Sequence, residues 1–381
     1  MTLLYCQGNK GVRTINYFRE SLKNVDKILL FLPVIFAVVS IVMIGSTSYE
    51  DSFIINRDIV VQFIGFAIGA VFIFFIMFVD YEQYRSISKV MYILCIVLML
   101  LVYTPLGVTK FGSRAWISLG VTTVQPCEFV KILFTLFYAS YLTDHRQDLL
   151  KFKGLVKAVL FPAPILLLVM KEDLGNALVF MFMMIIMIYI AGVDFKLYAR
   201  CGLAGILCLP AIYPFLADHQ KDRIKSFIHP DSDLAGTGLQ VWRSKIAIGS
   251  GGFSGKGLFQ GTQKSLGNIP VAKSDFIFSV IGEELGFIGG AAVIFLYSLF
   301  IYRIIKTVDR AKDMYGMLIA AGFGAMFFFQ IFENIGMTIG IMPVTGITLP
   351  FLSCGGTSVM ANMISLGLII SVGQRSKIIN F

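Results

Sequence analysis

The chain has 381 residues, 57% of them hydrophobic and only 14% charged, with a formal net charge of +9. A soluble domain carries about a quarter charged residues, so a soluble globular fold is excluded. The positive charge calls for no nucleic-acid partner, because Lys and Arg gather in alternate loops between apolar runs, as the positive-inside bias of membrane proteins predicts.

Residues 1–27 are basic, and no short apolar region with a small-residue cleavage site follows them, so the first span reads as an uncleaved helix. Apolar runs of bilayer length then recur near 28–46, 58–79, 90–105, 127–142, 155–170, 175–193, 200–216, 275–302, 314–338 and 352–373. These ten spans predict an all-α, polytopic integral membrane protein, since helices keep every backbone hydrogen bond within the segment. Lys and Arg are dense in 1–27, 80–89, 143–154, 194–200, 303–313 and 374–381, which therefore face the cytoplasm. The short loops of the other side hold only Arg57, Lys110, Arg114 and Lys171. Both termini read as cytoplasmic, and the long loop 217–274, between the seventh and eighth spans, reads as external. The layout is a cytoplasmic segment 1–27, a membrane domain 28–375 and a tail 376–381.

Polar residues cluster toward the external side. "GSRAWISLGVTTVQPCEFVK" (112–131) places Arg114 and Trp116 in an outer loop, Pro126 at a helix start, and Glu128 one turn from Lys131, where the two can pair. "KEDLG" makes a tight outer connection through Lys171, Glu172 and Asp173. The 217–274 loop has more bases than acids, which suits an anionic ligand or lipid headgroups. Its glycines between 249 and 261 fit a phosphate cradle or ordinary turns, and Lys256 followed by Gly257 does not make a Walker loop. "QVWRSKIAIG" alternates apolar and polar residues, as an interfacial segment would, with Trp242 as anchor and Arg243 and Lys245 beside it.

In "SDFIFSVIGEELG", Ser274 suits an N-cap, which would put Asp275 in the first turn of the eighth helix. There the carboxylate either complements the helix dipole or stands ready beside an anion site. Glu283 lies ~12 Å deeper on nearly the same face, and Glu284 points about 100° away. Acids at such depth face a cavity or pair with a base on another helix. Glycines and prolines break "QIFENIGMTIGIMPVTGITLPFLSCGGTS" (330–358), which predicts a re-entrant or broken segment lining an outward-facing cavity. The 6 Cys form no CxxC pair and the 3 His are scattered, so no metal site is expected.

Together "NIGMTIGIMPVTGITLPFLSCGGTS", "GSRAWISLG", "QPCEFVK", "KEDLGNALV", "SKIAIGSGGFSGKGLFQGTQ" and "SDFIFSVIGEELG" resemble the shape, elongation, division and sporulation (SEDS) family, in order from about residue 28 to 375. The resemblance implies a peptidoglycan glycosyltransferase that polymerises lipid II at the outer face of the bacterial cytoplasmic membrane, with inversion and with undecaprenyl pyrophosphate leaving. The family's essential aspartate falls on Asp275, which becomes the base, while Arg243, Lys245 and Arg114 are expected to hold pyrophosphate. Trp116, Glu128, Lys131, Asp173, Lys256 and Ser353 are further candidate substrate contacts, and Glu283 and Glu333 candidate structural or relay acids. The implied partners are lipid II, a class B penicillin-binding protein and membrane lipids. No cofactor is required, although a loosely bound Mg or Mn ion would suit the pyrophosphate. The chain departs from the family pattern at Cys127, Arg243, Cys354 and in "VAKSD" before the aspartate. Competing readings are a lipid II flippase and a non-catalytic scaffold for the penicillin-binding protein.

Overall fold

The structure, a computed structural model, describes residues 25–47, 56–110, 113–118, 120, 123–215, 218–229, 236–265 and 271–376. Most of the expected cytoplasmic segment and tail lies outside the described residues. Every apolar run is helical over most of its length. In chain order these are α1 (Lys27–Ser46), α2 (Arg57–Phe78), α3 (Ser88–Leu101), α4 (Pro126–Asp144), the pair α5 (Phe152–Leu160) and α6 (Ala163–Glu172), α7 (Leu174–Ile190) and α8 (Phe195–Ile212). The 217–274 loop holds α9 (Asp218–Ile228) and α10 (Thr237–Ser250), and the chain then returns to α11 (Ile277–Arg310), α12 (Met314–Ile339) and α13 (Gly356–Gln374). Of these, α1, α2, α11, α12 and α13 are long and apolar enough to cross a membrane alone, and the α5–α6 pair does so if its two halves count as one span.

Local chemistry sets the helix starts. Asp26, Asn56, Asp173, Asp194 and Asp313 each accept a first-turn N–H at the heads of α1, α2, α7, α8 and α12. Such a cap contributes about 1 kcal/mol. The expected fifth span is not one straight helix: α5 and α6 meet at 44°. Pro162 lies at that break and has no N–H to continue the ladder. The segment before α4, expected to be an outer loop, is not a plain loop either. It folds into an antiparallel sheet of β1 (Gly107–Lys110), β2 (Ser113–Ser118) and β3 (Thr123–Val124), with Val108 opposite Trp116 and Ile117 opposite Val124.

The buried helix α12 packs against α4, α7, α10, α11 and α13. Lipid tails offer no hydrophobic drive between helices, so close approach must supply the contact energy. Helix α2 meets α13 that way: a Cβ on Gly69 would lie 2.5 Å from Met363 Cβ. Phe36, Tyr297, Phe300, Phe327 and Phe351 interlock α1, α11, α12 and the segment before α13, with Phe36 stacked 4.7 Å from Tyr297 and 5.8 Å from Phe351.

Regular backbone is broken at two places, and the second adjoins the site. The first is in α11, where Gly286 has φ 65° and ψ −160°, a conformation open to glycine but costly for other residues. The groups freed there are satisfied by the 251–257 turn: Phe287 and Ile288 donate to the Gly252 and Phe253 carbonyls, at 2.9 and 3.2 Å. Lys256 and Gly257 donate in return to the Glu283 and Glu284 carbonyls, both at 3.0 Å. The second break is the irregular, mostly buried stretch between α12 and α13. Buried side chains serve its backbone: Ser40 donates to the Leu352 carbonyl, Gln62 to that of Ser353, Tyr297 to that of Pro350 and Asn334 to that of Ile347. That is how irregular backbone survives at membrane depth.

Candidate active site

The carboxylate singled out by sequence stands against the second of these breaks. Helix α11 starts at Ile277, not at Asp275, and has no side-chain cap. Asp275 therefore lies in the turn before the helix, and the capping role expected for Ser274, with Asp275 in the first turn, does not hold. Three successive carbonyls in this turn are held instead. Cys354 N–H donates to that of Lys273 at 2.9 Å, the Ser353 hydroxyl to that of Ser274, and the Asn334 amide to that of Asp275 at 2.9 Å. The backbone is thus fixed from the α13 and α12 sides while the Asp275 side chain stays partly accessible.

Gly346 is exposed beside that carboxylate, with φ 78°, and a Cβ there would lie 3.5 Å from Asp275 Oδ2. Burial pushes the Asp275 carboxyl above the usual aspartate range, and the negative charge of Asp173 adds to the rise. A hydrogen bond from Ser274 and the positive charge of Arg223 oppose it without cancelling it. The outcome is a stronger base than an exposed aspartate, next to a cation.

Arg223, on α9, is the functional candidate that sequence reading passed over. It counted only as one of the loop's bases, and its place depends on contacts distant in sequence. Its Nη1 donates to the Thr345 carbonyl at 2.8 Å. It also lines an open groove with Phe227, Val241, Lys245, Met342 and Pro343. Lys245 belongs to this groove and Arg243 does not share its face. The segment 237–250 is helical, so residues two apart point about 200° apart. Trp242 is exposed, as an anchor would be.

The other candidates divide by what already holds them. Asp173 accepts from Gln125 and twice from Asn176, at 2.8–3.1 Å, and its charge bears on Asp275, so it borders the site. Glu128 and Lys131 pair with each other at 2.7 Å and are nearly sealed from solvent. The Arg114 guanidinium donates to the Thr104 carbonyl at 2.9 Å, while its backbone N–H donates to Glu172, which straps β2 to the end of α6. Trp116 is half-buried in β2 opposite Val108.

Lys256, expected to meet pyrophosphate, is bound to Glu283 at 2.7 Å and to Thr262. Its glycine-rich surroundings are no phosphate cradle: a Cβ on Gly251 would sit 2.0 Å from the Gly282 carbonyl oxygen, and one on Gly255 2.1 Å from that of Glu284. Gly251 and Gly255 serve close packing on α11, whereas a Cβ on Gly249 or Gly252 would meet nothing. Glu283 accepts from Lys256, Thr262 and the Gln263 N–H, and Glu284 from Ser46 and the Phe259 N–H, so both act as ties. The Ser353 hydroxyl accepts from the Leu349 N–H and donates to the Ser274 carbonyl, a scaffold position for Asp275. Glu333 is buried on α12 and accepts from the Thr345 hydroxyl at 2.9 Å. Among the described residues no group of three or more His, Cys, Asp or Glu is placed to hold a metal ion.

Comparison with known proteins matches residues 21–378 to the family described as cell cycle protein, that of FtsW, RodA and SpoVE. Stage V sporulation protein E of Bacillus subtilis is 35% identical over 363 residues, covering 92% of this chain and 98% of its own. The peptidoglycan glycosyltransferase MrdB of Escherichia coli K12 is 32% identical over 359 residues, covering 94% and 95%. Among solved structures, the rod shape determining protein RodA of Thermus thermophilus superposes with a TM-score of 0.69 at 26% identity, over 92% of this chain and 97% of its own. A chain from a peptidoglycan synthase complex that coordinates polymerization and crosslinking superposes with a TM-score of 0.80 at 27% identity, over 92% and 98%.

Proposed function

Because the chain belongs to the cell cycle protein family of FtsW, RodA and SpoVE, a peptidoglycan glycosyltransferase family of the bacterial cytoplasmic membrane, we propose that it polymerises lipid II at the outer membrane face with Asp275 as general base. Asp275 takes the proton of the acceptor sugar hydroxyl as that oxygen attacks the anomeric carbon of the donor. The carbon–oxygen bond to undecaprenyl pyrophosphate breaks from the opposite face, which inverts the configuration. The leaving group carries away the bonding pair and needs positive charge. Arg223 and Lys245, on one groove, supply it, and Arg223 replaces Arg243 in this role.

The observation that carries this reading is the placement of Asp275. Its backbone is held by Asn334, Ser353 and Cys354, it caps no helix, and its carboxylate is partly accessible beside an arginine. A class B penicillin-binding protein is the expected partner, in keeping with the likeness to a chain of a synthase complex. The test is polymerisation of labelled lipid II by purified protein in detergent, with and without the cognate penicillin-binding protein. The parental chain makes glycan strands, and Asp275→Asn makes none while keeping its melting temperature. Detergent removes sidedness, so a flippase would give no polymer, and an Asp275→Asn variant at the parental rate would remove the base assignment.

A further inference from the structure

A carboxyl inside a membrane helix is costly unless it is paired or used. Glu333 is fully buried, and its Oε1 accepts one hydrogen bond, from Thr345 Oγ1 at 2.9 Å. Its Oε2 is sealed from solvent and has no partner among the described residues. Packing alone would be served by an apolar side chain at this position. The neighbouring residue, Asn334, donates to the carbonyls of both Ile347 and Asp275, at 2.8 and 2.9 Å. Two consecutive residues of α12 therefore grip the irregular segment on either side of Gly346, the residue that faces the Asp275 carboxylate. On the Glu333 side the grip continues outward, since the carbonyl of the same Thr345 accepts Arg223 Nη1 at 2.8 Å.

We propose that Glu333 is a positioning residue: by holding Thr345 it sets where the Arg223 guanidinium stands relative to Asp275. One turn of α12 then fixes both members of the working pair, Asp275 through Asn334 and Arg223 through Glu333 and Thr345. The inference rests on the reading of Asp275 and Arg223 as base and leaving-group cation, and polymer formation by the parental chain tests that reading separately.

The experiment is a double-mutant cycle on lipid II polymerisation, using Glu333→Ala, Thr345→Val and Arg223→Gln singly and combined. Misplacing a catalytic group by about 1 Å costs up to ~100-fold. Glu333→Ala and Thr345→Val are each expected to lower kcat at least about tenfold, with KM little changed. Glu333→Gln, whose amide oxygen still accepts from Thr345, recovers most of that loss. In the Arg223→Gln background neither Glu333→Ala nor Thr345→Val costs much more, because the group they position is gone. Parental rates in Glu333→Ala, or equal losses with and without Arg223, would overturn the proposal. Should Glu333→Ala fail to fold, the Thr345→Val arm with Arg223→Gln reads the same link.

Discussion

At the residue scale the proposed chemistry rests on a carboxyl raised by burial and by Asp173, and restrained by Arg223. A base works only when ionised, so the polymerisation rate should fall on the acid side as pH drops through the Asp275 pKa. That acid limb is expected above the ordinary aspartate range. Removing the nearby cation should move it further up, and removing the neighbouring negative charge should move it down. Rate–pH profiles of Arg223→Gln and Asp173→Asn therefore shift in opposite directions, and shifts of the same sign would contradict the assignment. Asp275 could be picked out from sequence because a carboxylate between a basic, glycine-rich loop and a membrane helix stands out against an apolar background. Arg223 could not, because its placement comes from the Thr345 carbonyl more than a hundred residues away.

At the element scale, α11 is held across its Gly286 break by the 251–263 stretch. Introducing a methyl at Gly251 drives it into the Gly282 carbonyl. Gly251→Ala should cost about 1–3 kcal/mol, the range for overpacking, and lower the melting temperature in detergent. The Lys256–Glu283 pair is partly sheltered, with Glu283 fully buried. Lys256→Met strands that acid and should cost about 3–5 kcal/mol, the penalty for breaking a buried pair, whereas Lys256→Met with Glu283→Gln recovers much of the loss. If the single and double variants melt together, the pair does not stabilise α11. The glycine density was visible in the sequence, but its purpose was not. The same residues suit a phosphate or a carbonyl, and only the approach to Gly282 and Glu284 decides between them.

At the scale of the whole molecule, a belt of ion pairs closes the end predicted to face the cytoplasm: Asp26 with Arg303, Arg85 with Asp144, Glu82 with Lys312, and Asp80 with Arg375. From the positive-inside bias, a membrane-impermeant maleimide applied to intact cells should label Leu106→Cys and spare His145→Cys in a cysteine-free background. Labelling of His145→Cys alone would invert the topology. The membrane class and the positions of the apolar helices were legible in the chain itself, because hydrocarbon solvation acts on each run separately and leaves its mark in local composition. The carboxylate to examine was also legible, since a charge in an apolar stretch is conspicuous wherever it lies. The small sheet was not: its strands run to six residues at most, and β-branched residues such as those in "GVTTV" carry weak signal without their partners. Nor were the contacts of Lys256, Ser353, Arg223 and Glu333, which only the tertiary structure decided. The cost of a buried polar group is set by the partner that meets it, and here that partner comes from a distant part of the chain.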